Sequence, residues 1–308
     1  MSDQYGVLAA LARQGAVGKT ACLAAVVERN GSAPCPVGAL MALLDDGQVC
    51  GTVGGGRLEQ EVLWCLQQVQ AQGRAQVRQF RLLPDQTGMP CGGSVTLLLT
   101  PVPAQQGELF RRAAEQLQRG EPLILAAHLD SQGQACWYLA ATDAAEYAIT
   151  LQPVPHLVLC GAGHIAQSLA PMAQCAGFRV TVVDDRPAYL AEHPFDAGVT
   201  VRAVERFDAC LTTLQPGVNS FLLIASYSHQ QDKLLLQQAL ATQAGYIGMV
   251  GSKRKREELF SQLRATGVTE QALQRVHCPV GLAIGAQTPA EIAVSILAEM
   301  IAVLRHTL

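Results

Sequence analysis

A five-residue apolar run, His156–Cys160, passes directly into Gly161-Ala-Gly163-His-Ile-Ala166, and a second apolar run ends on Asp184 about twenty residues later. Few sequence features restrict a fold as tightly. Gly161 permits the tight turn out of a strand, Gly163 lets a phosphate approach the backbone, and Ala166 keeps the following helix close to the sheet. The acid at the end of the next strand stands where a ribose-binding carboxylate is expected. Strand, turn, helix, strand and acid in this order predict a Rossmann-type βαβ unit.

The same alternation continues. Strands are expected at His156–Cys160, Arg179–Val183, Val199–Ala203, Ser220–Ile224 and Tyr246–Met249, giving a parallel sheet covered on both faces. The last helix opens at Thr288-Pro289-Ala290-Glu291, a capping box with proline at the first helical position. Its stripe of Ile292, Ile296, Leu297, Met300, Ile301 and Leu304 reads as a core-facing side.

The first half has a different rhythm. A helix over about Gln4–Gln14 precedes a strand at Thr20–Val27. A hairpin turns on Asp45-Asp46-Gly47, and a helix spans Arg57–Gln72. Strands at Ala75–Leu82 and Ser94–Thr100, a helix near Glu108–Arg119, and strands at Leu123–Leu129 and Ala135–Ala140 follow, with Thr142–Gln152 as a linker. The expected fold class is therefore α/β: an N-terminal α/β domain over 1–150, then a C-terminal Rossmann-like parallel-sheet domain over 151–308. Gly15-Ala-Val-Gly18-Lys19-Thr20 imitates a P-loop, but Arg13 occupies the place of its first glycine, and the segment opens a strand rather than a helix.

Composition narrows the function classes. Of 308 residues, 49% are hydrophobic and 15% charged, and the formal net charge is −3. That balance supplies two cores and argues against nucleic acid or an anionic membrane as the main partner. No unbroken apolar run reaches the length of a membrane span, and the first residues carry no secretory pattern, so a cytoplasmic protein is expected. The ten cysteines include no C-x-x-C pair. Cys22, Cys65, Cys160 and Cys175 fall in apolar segments, as reduced cysteines used as small core residues do.

Several polar segments are candidates for chemistry. Gly54, Gly55 and Gly56 precede a helix and read either as an anion nest or as a purely conformational device. Gly251-Ser252-Lys253 opens a helix whose first turn carries three cations, which would welcome an anion or form a solvated basic face. His229 and Asp232 follow the fourth strand of the second half, at the ligand-binding edge of an open α/β sheet. His229 is placed there to act as acid, base, ligand contact or simple surface residue. Cys91, in the loop Gly88-Met-Pro-Cys91-Gly92-Gly93, has nearby N–H dipoles that would stabilise a thiolate, the metal-ligating form. Cys35 and Cys278 are further loop thiols.

Taken together, these segments resemble the XdhC/CoxI family, the accessory proteins of xanthine dehydrogenase and related molybdenum hydroxylases. The likeness is carried by Gly31-Ser-Ala-Pro34, Gly51-Thr-Val-Gly-Gly-Gly56 with Leu58-Glu59, Cys91-Gly-Gly93, Gly161-Ala-Gly163-His164, Ser228-His229 with Asp232, Gly251-Ser252-Lys253, Cys278-Pro-Val-Gly281 and Thr288-Pro-Ala-Glu291. The resemblance implies a cytoplasmic, homodimeric maturation factor rather than an enzyme. Such a factor binds the molybdenum cofactor, as molybdopterin or its cytosine dinucleotide form, and works with a cysteine desulfurase during its sulfuration. It then passes the cofactor to the apo-hydroxylase. The cofactor is expected between the two domains, its phosphate on one of the glycine-rich helix starts and Cys91 against molybdenum or its sulfur. Where relatives carry a second cysteine, this chain has Pro90. The rival is an NAD(P)-dependent oxidoreductase that uses the Rossmann half, with His229 as acid or base.

Overall fold

The structure is a computed structural model that describes residues 4–33, 35–81 and 92–306. The chain divides into two compact units, Met1–Pro153 and Val154–Leu308.

The first unit contains α1 (Gln4–Ala16), β1 (Ala21–Asn30), β2 (Leu40–Leu44), β3 (Val49–Gly51), α2 (Gly56–Gln72), β4 (Gln76–Arg81), β5 (Ser94–Val102), α3 (Gly107–Gln118), β6 (Leu123–Leu129), β7 (Ala135–Ala140) and β8 (Tyr147–Leu151). Its main sheet runs β3-β2-β1-β5-β4, every pair antiparallel. Central β1 is buried on both faces, which is why its apolar run is continuous rather than alternating. Cys22, Ala24 and Val26 face Leu58, Val62 and Leu66 of α2. Leu23 and Ala25 face α1, α3 and a second, three-stranded sheet ordered β7-β6-β8. The expected linker over 142–152 is in part β8, which pairs with β6. Gly15 of the apparent P-loop serves helix packing: a Cβ there would lie 2.4 Å from the Gly107 Cα of α3.

The second unit contains β9 (His156–Cys160), α4 (His164–Cys175), β10 (Arg179–Asp184), α5 (Pro187–Glu192), β11 (Thr200–Ala203), α6 (Cys210–Leu214), β12 (Ser220–Ile224), α7 (His229–Leu240), β13 (Tyr246–Met249), α8 (Lys253–Ala265), α9 (Glu270–Leu273), β14 (Val276–His277) and α10 (Pro289–Leu304). The sheet is ordered β11-β10-β9-β12-β13-β14 with every pair parallel. Counted within the unit this is 3-2-1-4-5-6, the doubly wound order of Rossmann folds. Alternate residues serve opposite faces. Leu157, Leu159, Val180 and Val182 pack with α4 and α10, while Val158, Cys160, Leu222 and Ile224 pack with α7 and α8. The direction of winding reverses between β9 and β12, so the crevice beyond their carboxyl ends is the ligand-binding position of this architecture. Cys175, expected in the core, is exposed at the end of α4.

Candidate functional site

At that crevice the two strand ends are held together before their connections part. Ala225 N–H donates to the Cys160 carbonyl at 2.9 Å. Gly161 has φ of +114°, and a Cβ there would lie 2.3 Å from the Ala225 carbonyl oxygen, so glycine is required twice over. Gly163 caps α4 in extended conformation and, among the described residues, no side-chain hydrogen bond closes this helix start. A Cβ on Gly163 would meet nothing within 4 Å. His164 follows, exposed, in the first turn. The first N–H groups of α4, with the positive end of its dipole, thus face open space. By contrast, α7, α8 and α10 are closed by their own Ser228, Ser252 and Thr288.

Asp184 ends β10 and is fully buried. Its oxygens accept from Ala162 N–H at 2.7 Å, from Arg186 N–H at 2.9 Å, and from the Arg186 guanidinium at 2.8 and 2.7 Å. Burial pushes this carboxyl up, but the Arg186 hydrogen bonds, the Ala162 N–H and the Arg186 charge outweigh it and hold Asp184 below the usual carboxylate range. Arg186 in turn lies over the rings of Tyr189 and Tyr227, at 4.3 and 4.7 Å from their centroids. Tyr227 donates to Asp185 at 3.1 Å. The acid therefore fastens the glycine turn to β10, and a ribose diol would find both its oxygens engaged.

On the other side of the crevice, buried Asp232 accepts from Ser226 N–H at 3.1 Å and Ser226 Oγ–H at 2.6 Å, and pairs with Lys255. Lys255 Nζ also donates to the Val250 carbonyl at 3.1 Å. Of the three cations expected to face an anion, Lys255 is thus turned inward, while Lys253 and Arg254 are exposed. Ser252 caps α8 by accepting from Lys255 N–H, and Gly251 leaves room for the Lys255 side chain. His229 is exposed in the first turn of α7. Cys278 is buried, and that burial, despite Lys255 and Arg256 nearby, pushes its thiol up to about 11. At neutral pH it is a protonated core thiol.

One cluster has no counterpart in the sequence reading. Glu299, on the buried side of α10, accepts from Tyr246 Oη–H and Gly281 N–H, both at 2.7 Å, and meets His277 Nδ1 at 2.8 Å. Burial raises this carboxyl, but its bonds to His277 and Tyr246 prevail and hold it low. The cluster fastens the Cys278–Gly281 segment to α10. Glu299 on the stripe of Ile292, Ile296 and Met300 was the available signal, because a carboxylate among core positions demands partners.

In the first unit, Gly54, Gly55 and Gly56 have φ of +119°, +80° and +62°. The oxygen at their centre is the chain's own. Glu59 Oε1 accepts from Val53 N–H at 3.2 Å, Gly55 N–H at 3.1 Å and the Thr52 hydroxyl. Gly93 packs against the end of β1, where a Cβ would lie 2.3 Å from the Ser32 carbonyl oxygen, while a Cβ on Gly92 would meet nothing within 4 Å. Cys35 is buried; that burial raises its thiol, offset in part by Arg29 and reinforced by Glu59. Cys91 lies outside the described residues. Among the described residues, no group of three or more His, Cys, Asp or Glu could hold a metal ion, and no helix is long and apolar enough to cross a membrane.

Comparison with known proteins agrees with this architecture. A model of the XdhC Rossmann domain matches residues 157–300, and a model of the XdhC and CoxI family matches residues 16–81. The chain belongs to the XdhC/CoxI family. It is 24% identical to the molybdenum cofactor insertion chaperone PaoD of Escherichia coli K12, over 94% of this chain and 85% of that one. It is 29% identical to YqeB of the same organism, an uncharacterised protein, over 91% of this chain; the chain spans 43% of the length of YqeB. A Bacillus halodurans crystal structure described as a xanthine dehydrogenase superposes with a TM-score of 0.82 at 25% identity, covering 99% of this chain and 96% of that one.

Proposed function

We propose that this XdhC/CoxI protein is a cytoplasmic chaperone that carries the molybdenum cofactor, as molybdopterin or its cytosine dinucleotide form, to a xanthine dehydrogenase-type hydroxylase. It supports sulfuration of that cargo together with a cysteine desulfurase, and it works as a homodimer. The observation that carries the reading is similarity over nearly the whole chain to a protein named for cofactor insertion.

The residues fit such a cargo. A pterin phosphate needs fixed N–H donors and positive potential, and the start of α4 from Gly163 onward offers both: Gly161 and Ala162 donate to Val183 and Asp184, while the first N–H groups of the helix face open space. Exposed Lys253 and Arg254 add charge at the same edge of the sheet. The Gly54–Gly56 nest is less suited, because a phosphate there must displace Glu59. Cys91 acts as the soft ligand that approaches molybdenum or the sulfur to be installed, with Gly92 and Gly93 giving access. His229 lines the rim, and Asp232 and Ser252 hold its shape. The engagement of Asp184 by Arg186 favours carriage over the NAD(P)-dependent oxidoreductase, which needs that acid for a ribose.

The test is to purify the protein from cells that make the cofactor and to measure bound pterin by fluorescence after oxidation. Wild type is expected to retain pterin and to activate an apo-hydroxylase, whereas Cys91→Ala loses one or both properties. A wild type that retains none, or a Cys91→Ala variant equal to it in both, overturns the reading. Substrate-dependent turnover of NADH or NADPH would replace it with the rival.

A further inference from the structure

A cavity of about 170 Å³ opens beside β10 and β11 in the second unit, lined in part by Val183, Arg202, Val204, Arg206, Cys210 and Thr213. Cys210 opens α6 and is 5% exposed. Behind it lies Cys160, the last residue of β9, with no accessible surface. Val183 of the cavity wall pairs with Cys160 in the parallel ladder, so the second thiol sits one strand from the opening. Both thiols belong to one buried cluster, near enough for each to shift the other's acidity.

We propose that Cys210 and Cys160 are a redox-active pair, in which a hydroperoxide entering the cavity oxidises Cys210 and Cys160 resolves it to an intrachain disulfide. The sulfur of Cys210 attacks one peroxide oxygen. An S–O bond forms, the O–O bond breaks, and the departing hydroxide takes the thiol proton and leaves as water. Cys160 then attacks the sulfenic sulfur: the S–S bond forms, the S–O bond breaks, and a second water leaves with the Cys160 proton. Two thiols are oxidised by two electrons in all, and one hydrogen peroxide is reduced to two waters.

The environments of the two sulfurs match these roles. The Cys160 thiol near Cys210 lowers the latter; burial works against this, and the N–H groups of Leu211 and Cys210 assist it. Cys160 is held well up by its Cys210 neighbour and by burial. The attacking thiol is therefore the one at the cavity, and the resolving thiol is the one behind it. Arg202 and Arg206 line the same cavity, the latter paired with Asp208 at 2.9 Å. Cys22, a buried thiol among hydrocarbon whose burial pushes it up to about 11, shows the inert alternative within the same molecule. The disulfide would form one residue before Gly161, at the root of the phosphate-facing turn.

Reduced full-length protein is treated with hydrogen peroxide raised stepwise from one to several equivalents, its remaining thiols are alkylated, and its peptides are mapped by mass spectrometry. The expected product links Cys160 to Cys210 and leaves Cys22 alkylated. In Cys160→Ser, Cys210 is expected as a sulfenic acid captured by dimedone; in Cys210→Ser, Cys160 is expected as a free thiol. Wild-type protein that keeps both thiols free after exposed Cys136 and Cys175 are fully oxidised overturns the proposal. Cross-linking of Cys160 to any other cysteine also overturns it. The wild-type map decides the matter even where a serine variant fails to fold.

Discussion

Two helices of this molecule begin in glycine-rich turns, and they solve the same problem in opposite ways. At α2 the unpaired N–H groups close on Glu59, which lies four residues past the cap Gly55. At α4 the cap is Gly163, and no side chain among the described residues returns to it. From the glycines alone the two look equivalent. What separates them is whether the following turn supplies a carboxylate: Leu58-Glu59 does, and His164-Ile-Ala-Gln167 does not. A glycine-rich helix start is a site for an outside anion only where the chain has not filled it from within.

The largest effect that would sharpen this comparison is at Gly161. Gly161→Val places a branched side chain at positive φ against the Ala225 carbonyl, and is expected to destabilise the second unit by about 3–4 kcal/mol or prevent its folding. Urea unfolding followed by circular dichroism measures it. A loss near zero would mean that the turn is not tight.

Asp184→Asn comes next. It leaves the Arg186 charge uncompensated beside the turn, with an expected loss of about 2–3 kcal/mol. Because the folded carboxyl lies below its ordinary value, its stabilisation is complete above the usual aspartate range. It is lost as pH falls through the folded value, so wild type weakens below about pH 4. The asparagine variant is expected to lack that contribution to the acid slope; equal slopes would contradict the assignment.

Glu59→Ala empties the α2 nest and is expected to cost about 1–2 kcal/mol. Sulfate should restore part of that loss in the variant and raise wild type less. Equal sulfate responses in thermal melts would remove the distinction between the two helix starts. The smallest effect is expected at Ser252→Ala, about 1 kcal/mol for a lost cap, read from the same urea unfolding.

Much of the second unit was legible in advance because strand–turn–helix alternation and the glycine motif are local signals. The Thr288–Glu291 capping box and the strands His156–Cys160, Ser220–Ile224 and Tyr246–Met249 stand where pattern placed them. What the pattern lacks is pairing at a distance. Asp184 occupies the ribose-acid position, but its engagement with Arg186 and Ala162 depends on how the turn folds back. β8 is only five residues long and follows a polar stretch, and pairing with β6 makes it a strand rather than a linker. Cys175 falls in an apolar helix, yet its position on the last turn leaves it exposed. Glu299 and its partners come from three separate segments, so no short motif announces them.

The most direct measurement is cofactor retention by Gly163→Asp, which gives α4 an internal carboxylate of the kind Glu59 gives α2. The side chain has room to fit, and Asp is a favoured helix cap, so folding should be preserved or slightly strengthened. The account predicts that this folded variant loses most of the pterin that wild type retains, while Glu59→Ala keeps it. A Gly163→Asp protein that carries as much pterin as wild type would contradict it.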